Sequence, residues 1–408
     1  MNHLNFLKNY SSGRRDIGDL KNKNGTFRFK EFQRNMNTSN GTKTPNSEYK
    51  IECDGVDRET REIGATAVCA VIFITSTLGN ALVIMVVYRE RRMRTIVNLL
   101  IVNVAVSDFL CTLFVIPRVI TQTFTDQLAW LIGGSLGDAL CKVVYFFQDI
   151  TVAVSLLSLL IIASERYYAI TRPVIQNTFQ KTRCILLIAI TWMVACVIHA
   201  VDLYAFKLEE GAFCVHTWEP LFEDSFEAWK IQFLVHTIIF VFIPFFVITA
   251  LYVTIIIRIR RMTLPEEASR RSLCLSRNRK VLRMLIAVVV AFGVCWFPFL
   301  IYHYVATFTW FNKNLEPSCS VKFFGECSLY LTFINSSINP AIYFMFSKNY
   351  RSGLNNIVWS FFTQFFRSSR KRVSRNIETP RFKPPPQDNG GVNQCQDVEL
   401  QVFSFPQR

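Results

Sequence analysis

Asp108 interrupts the apolar run VNVAVSDFL. Gln148-Asp149 and Glu165-Arg166 interrupt a second apolar stretch, Asn335, Ser336, Ser337 and Asn339 a third, and Asn80 a fourth. Side chains of these types can hold a cation, anchor a ligand or exchange hydrogen bonds between two arrangements. They do not make an enzyme: the sequence shows no nucleophile paired with a base, no metal cluster and no phosphate-cradling loop. The 12 cysteines form no CxxC pairs of the kind that bind zinc, and most fall inside apolar stretches as packing residues.

The elements that carry these residues follow from composition. Of 408 residues, 51% are hydrophobic and 18% charged, where a soluble chain carries about a quarter charged. That excludes a disordered chain and argues against a water-soluble two-domain protein. Seven apolar stretches are long enough for a hydrocarbon core about 30 Å thick, which takes roughly 20 helical residues. They are Gly64–Tyr88, Val97–Ile120, Cys141–Ile170, Cys184–Tyr204, Ile231–Ile257, Val281–Phe308 and Cys327–Phe346. In lipid their backbone groups must be satisfied internally, so each is expected to be a helix. Four contain proline (Pro117, Pro244, Pro298, Pro340), each a candidate hinge. A charge at mid-bilayer costs from about 2.5 kcal/mol upward, so the buried polar residues must turn toward a shared interior. The expected fold is an all-α membrane protein, a seven-helix bundle.

The net charge of +15 sits in short runs between the spans, which fits membrane topology rather than nucleic-acid binding. Arg89, Arg91, Arg92 and Arg94 follow the first span; Arg258, Arg260 and Arg261 follow the fifth; Arg277, Arg279 and Lys280 precede the sixth; Arg367, Arg370, Lys371, Arg372 and Arg375 follow the seventh. With alternating spans all fall on one side, the cytoplasmic one. The N-terminus is then outside, where Asn9, Asn24, Asn37 and Asn40 begin glycosylation sequons. No apolar targeting region precedes the first span, so that span is expected to serve as the signal. Residues 1–63 are expected to be a disordered extracellular segment and 64–347 the bundle. In 348–372, Trp359, Phe361, Phe362, Phe365 and Phe366 sit beside basic residues, as in an amphipathic helix on the inner leaflet. Residues 373–408 are expected to be a disordered tail.

The motifs taken together resemble the rhodopsin-like (class A) G-protein-coupled receptors, over about Gly64–Arg351. The resemblance is carried by Gly79-Asn80, Asn103 to Asp108, and Cys141 with Arg166 25 positions later in Glu165-Arg166-Tyr167. Trp192, Pro244 with Tyr252, Cys295-Trp296-Phe297-Pro298, and Asn339-Pro340 with Tyr343 complete it. It implies a plasma-membrane receptor that activates heterotrimeric G proteins by outward movement of the sixth span. It also implies arrestin and receptor-kinase partners, membrane lipid around the bundle and no nucleic acid. The resemblance makes Glu165, Arg166, Tyr252, Trp296, Asn339, Pro340 and Tyr343 the activation switch. Here Arg277-Asn278-Arg279-Lys280 lacks the acid that some relatives carry at the inner end of the sixth span, implying a weaker inactive lock. Asp108, Ser155, Asn335 and Asn339 would surround a sodium ion; a hydrogen-bonded cluster without an ion is the other reading. No other cofactor is expected.

Cys141 and Cys214 are expected to form the disulfide that ties the third span to the loop after the fourth, in an oxidising compartment. For the remaining outer cysteines, Cys53–Cys319 and Cys319–Cys327 both stay open. The ligand class is read by exclusion and resemblance. Cys327–Phe346 has no lysine for a retinal Schiff base, and Gln148 stands where amine receptors carry an aspartate. Gln148, Pro117 and the Cys214-Val215-His216-Thr217-Trp218 run resemble neuropeptide receptors. From Asp202 to Lys230, seven acids face only Lys207 and Lys230, a mouth that would attract a basic or amidated peptide. Gln148, Asp149, Trp296 and His303 are the pocket candidates. A receptor for a small molecule such as a biogenic amine is the alternative; a transporter or channel ranks below it, since no repeat is present. Ile198-His199-Ala200-Val201-Asp202 lacks the proline many relatives carry at the end of the fourth span, leaving the upper pocket geometry open.

Overall fold

A computed structural model describes residues 58–125, 129–171, 181–209, 213–261, 268–311 and 317–373. The four sequons and the tail beyond 373 lie outside these residues. The chain divides into two compact units, one of 61–297 with 330–408 and one of 1–60 with 298–329.

In the first unit, α1 (Arg58–Arg89) begins six residues before the expected Gly64, with Glu59 favourably placed in its first turn. The chain turns through a short 3₁₀ segment, Arg91–Met93, into α2 (Ile96–Phe124). Thr95 caps α2, its hydroxyl accepting from the Asn98 N–H. Helix α3 (Gly134–Thr171) starts well before Cys141, after a glycine at φ +68°, a backbone conformation glycine adopts without penalty. The fourth span is α4 (Lys181–His199), ending short of Tyr204 because a separate turn, α5 (Asp202–Ala205), leads into a hairpin. The hairpin pairs β1 (Phe206–Glu209) with β2 (Phe213–His216), antiparallel, with Leu208 opposite Cys214.

The fifth span is α6 (Ser225–Thr237), a π-helical turn over Ile238–Phe242, and α7 (Ile243–Arg261). Asp224 caps α6 by accepting from two backbone N–H groups. The wide turn ends just before Pro244, whose ring cannot fit against a regular ladder. The sixth span, α8 (Ala268–Val305), begins 13 residues before the expected Val281. It runs into a π-helical segment, Ala306–Phe311. The seventh is α9 (Cys319–Phe346), followed by α10 (Lys348–Val373) in the place expected for the surface helix.

Among the described residues six helices are long and apolar enough to cross a membrane, the first six spans. Helix α9 has the length, at 28 residues, but carries Lys322, Glu326 and the Asn335–Asn339 polar run. Burial is reversed relative to a soluble protein: Phe246 is 76% exposed while Asn80 and Ser107 are fully buried. Polar groups share the interior with apolar ones, while many large apolar side chains face outward, as a lipid solvent allows.

Helix α3 packs against α2, α4, α5 and α7 and forms the centre of this unit. A Cβ on Gly79 would lie 2.9 Å from the Pro340 side chain, so α1 and α9 approach there only because residue 79 is glycine. Helix α10 is fastened to α1 and α2: Asn356 donates to Glu90 at 2.8 Å, and the buried Tyr350 hydroxyl reaches Asn98 at 3.5 Å. In the second unit the Tyr302 ring occupies the space a Gly325 side chain would need, and His303 lies 4.2 Å from Phe299, centroid to centroid.

Candidate functional site

The expected polar residues meet in three places. At mid-height, Asp108 accepts from Asn339 Nδ2 at 2.8 Å and from the Ser336 hydroxyl at 3.5 Å. Asn80 donates to the Ser336 carbonyl at 3.0 Å, and Ser76 pairs with Thr112 at 2.7 Å. Ser155 pairs with Ser107 at 2.6 Å, while Asn103 donates to Ser158 at 2.8 Å and accepts from the Trp192 indole at 2.9 Å. The seam thus links α1, α2, α3, α4 and α9. Among the described residues it leaves the Oδ1 atoms of Asn80, Asn335 and Asn339 buried with no donor. A carboxyl together with such amide oxygens is a donor set for a hard cation. The residues fit such an ion.

At the Arg-rich end, Glu165 holds Arg166 through two parallel bonds, Nε to Oε2 at 2.5 Å and Nη2 to Oε1 at 2.7 Å. The two-bond geometry is the strong form of this pair. Near this end Tyr252 and Tyr343 are buried, and neither hydroxyl has a partner among the described residues. Trp296 stacks on Phe292 at 5.6 Å, one turn along α8. These groups are poised for other contacts: each buried hydroxyl is a bond waiting to be made.

At the opposite end of α3, Cys141 and Cys214 form the expected disulfide. It presses the hairpin onto α3, where Asp138 accepts from the Leu208 N–H at 3.1 Å and Tyr145 stacks on Phe206 at 4.0 Å. Cys319 is also disulfide-bonded, whereas Cys327 is a free exposed thiol, which removes the Cys319–Cys327 alternative.

Beside Tyr145, which touches the hairpin, lies a cluster of polar side chains. Gln148 accepts from Arg118 Nη2 at 2.6 Å, and the Arg118 guanidinium lies over the Tyr145 ring at 4.3 Å. Arg118 also donates to Gln122 at 3.3 Å, yet its buried Nε meets no partner among the described residues. Asp149 takes only a long 3.5 Å contact from Gln148 and belongs instead to a group with His199 and Asp202. Asp202 accepts from Gln232 at 2.8 Å and meets His199 Nδ1 at 3.1 Å. Of the pocket candidates, Gln148 joins the Arg118 cluster and Asp149 the His199–Asp202 group. Trp296 stands in the α8 column with Phe292, and His303 stands among Phe299 and Tyr302 in the second unit.

Arg118, His199 and Asp202 were not among the sequence-based candidates. Two signals pointed to them: Arg118 directly follows Pro117 inside an apolar run, and His199 and Asp202 lie three apart, on one helical face.

A family model described as the 7 transmembrane receptor (rhodopsin family) matches residues 79–343. The chain belongs to that family. Among similar proteins is the QRFP-like peptide receptor of Branchiostoma floridae, 30% identical over 327 residues, covering 78% of this receptor and 80% of the relative. The neuropeptide Y receptor type 6 of Mus musculus is 27% identical, covering 71% and 78%. The pyroglutamylated RF-amide peptide receptor of Rattus norvegicus is 26% identical, covering 71% and 68%. The receptor is thus a multi-pass membrane protein of the rhodopsin-like G-protein-coupled class, a signalling protein and not an enzyme. The rival transporter or channel reading falls with this membership.

Proposed function

We propose that this receptor responds to an extracellular basic, amidated peptide and passes the signal to a heterotrimeric G protein. The observation that carries the reading is the Arg118–Gln148–Tyr145 cluster beside the disulfide-tied hairpin, taken with three relatives whose names are those of peptide receptors. The Arg118 Nε would donate to a peptide carbonyl, with Gln148 and Tyr145 fixing the guanidinium in place. The acids of the surrounding loop, among them exposed Glu219, Glu223 and Asp224, would draw a cationic peptide inward. An RF-amide peptide, which ends in arginine and an amidated phenylalanine, has the matching chemistry. Biogenic amines match less well, because Gln148 supplies no carboxylate and its oxygen is already engaged.

Orientation follows from the same picture. The disulfide end of α3 belongs to the oxidising, extracellular side, and exposed Arg91, Arg92, Arg258 and Arg260 to the cytosol. The receptor would then work in the plasma membrane with its N-terminus outside, glycosylated at Asn9, Asn24, Asn37 and Asn40, and its C-terminus inside. In the resting state Asp108, Ser155, Asn335 and Asn339 would hold a sodium ion, which offsets the buried carboxylate's charge. Peptide binding would act through Trp296 and the Pro298 and Pro340 hinges. Arg166 would leave Glu165, Tyr252 and Tyr343 would gain partners, and the sixth span would swing out to admit the G protein's helix. Arrestin and a receptor kinase would act at the same face.

A screen of synthetic peptides on cells expressing the receptor tests this. Peptides ending in Arg-Phe-amide should signal, and the same peptides with citrulline for arginine should be weak. The loop variant Glu219→Lys/Glu223→Lys should raise the half-maximal concentration of the basic peptides roughly tenfold, as loss of electrostatic steering predicts. Equal potency for arginine and citrulline peptides, or an unchanged response in the loop variant, would overturn the ligand assignment.

A further inference from the structure

The group formed by Asp149, His199 and Asp202 has features that peptide recognition does not use. One ligand atom from each of these three residues lies within 4.8 Å of the others. They come from three elements, α3, α4 and α5. The His199 and Asp202 side chains are 3% and 1% exposed. No lysine or arginine forms an ion pair with either carboxyl among the described residues. Two carboxyls therefore face one another in a buried place without a permanent cation, which is costly unless one arrives.

The histidine supplies the deciding detail. Its Nδ1 lies 3.1 Å from Asp202 Oδ2, close to the separation of two ligand atoms on one small ion. A metal entering between them would take the Nδ1 lone pair and displace the proton held there, leaving the ring N–H on Nε2. A second imidazole stands close by: the His236 ring of α6 meets His199 edge-on, with centroids 4.6 Å apart. The Phe240 ring closes the site on one side, 5.4 Å from His199 and 5.3 Å from His236.

We propose that Asp149, His199 and Asp202, with His236 beside them, bind a divalent transition metal of the zinc type. Calcium and magnesium prefer all-oxygen shells, whereas mixed imidazole and carboxylate donors select zinc and its neighbours. Zinc bonds of about 2 Å put tetrahedral ligand atoms about 3.4 Å apart, which small side-chain rotations reach from the present spacing. Gln232, which donates to Asp202 at 2.8 Å, steadies that carboxylate from α6. A bound ion would pin α3 to α4 and α5 next to Gln148, making extracellular zinc a modulator of the receptor. The inference is independent of the peptide assignment, since it concerns the metal alone.

The full-length receptor, purified into lipid nanodiscs and stripped with chelator, supplies the test. Zinc chloride should bind with one tight site and raise the unfolding temperature by several degrees, while magnesium and calcium chloride leave it unchanged. His199→Asn or Asp202→Asn should weaken zinc binding by roughly tenfold or more. Zinc binding of unchanged tightness in either variant would overturn the proposal, as would the absence of any zinc effect. Should the variants fail to fold, X-ray absorption on the unmodified receptor decides. Nitrogen and oxygen neighbours at about 2.0–2.1 Å support the site, and a sulfur shell at about 2.3 Å, marking cysteine ligation, refutes it.

Discussion

Receptor carrying Cys214→Ser is expected to lose about 4 kcal/mol of stability and most of its surface expression, because the bond it breaks closes a long loop. Cys141 and Cys214 are 73 positions apart, and the loop between them holds α4, α5 and β1. Without the disulfide, β2 stays attached to α3 only indirectly, through β1. The Asp138 bond to the Leu208 N–H and the Tyr145–Phe206 stack remain, but both are partly buried contacts at the hairpin's near side. They would slow the loss of the hairpin without fixing its register on α3. Unfolding temperatures of Cys141→Ser, Cys214→Ser and the double variant check this. The two single changes should cost alike and the double little more, since all three remove the same bond. Additive losses would mean that each sulfur contributes through packing instead.

The second large effect is expected at Tyr252 and Tyr343, with opposite signs in stability and signalling. Both side chains are buried, and neither hydroxyl has a partner among the described residues. A buried polar group left unsatisfied costs about 1–3 kcal/mol. Tyr343→Phe, and likewise Tyr252→Phe, removes that cost while keeping the ring. The variants should therefore be more stable than the unmodified receptor in the absence of agonist. If the hydroxyls find partners only in the active arrangement, the same change withdraws those bonds. A bias of about 1.4 kcal/mol toward the resting form would lower the active population tenfold. Thermal unfolding and basal G-protein activation of the two variants measure both halves. Lower stability without ligand, or unaltered signalling, would show that the hydroxyls are satisfied in the resting form.

The seven helices were legible in the sequence because lipid leaves the backbone no alternative, and the apolar runs mark where lipid begins. The mid-bilayer seam was legible for the same reason: Asp108 and Asn339 could not be placed facing lipid, and they meet at 2.8 Å. Helix ends were less legible. Helix α8 continues to Ala268 through polar residues that a hydropathy pattern assigns to a loop, since helical hydrogen bonding does not stop at the membrane surface. The polar groups at the hairpin end of α3 were hardest to read. The missing proline in the fourth span signalled an altered geometry there. That Asp202 would turn back to His199 depended on α5, a single helical turn too short to leave a periodic trace. Gln148 and Asp149, adjacent in sequence, serve different neighbours because the helix points them about 100° apart. Gln148 faces Arg118 and Asp149 the histidine group.

Everything in the signalling account passes through Arg166, which Glu165 holds by two bonds. Its most direct test is nucleotide exchange on a purified heterotrimeric G protein, driven by an Arg-Phe-amide peptide, with the unmodified receptor and with Arg166→Ala. Peptide binding should persist in both, while peptide-stimulated exchange should be seen only with the unmodified receptor. Exchange that continues in Arg166→Ala at the unmodified rate would contradict the account.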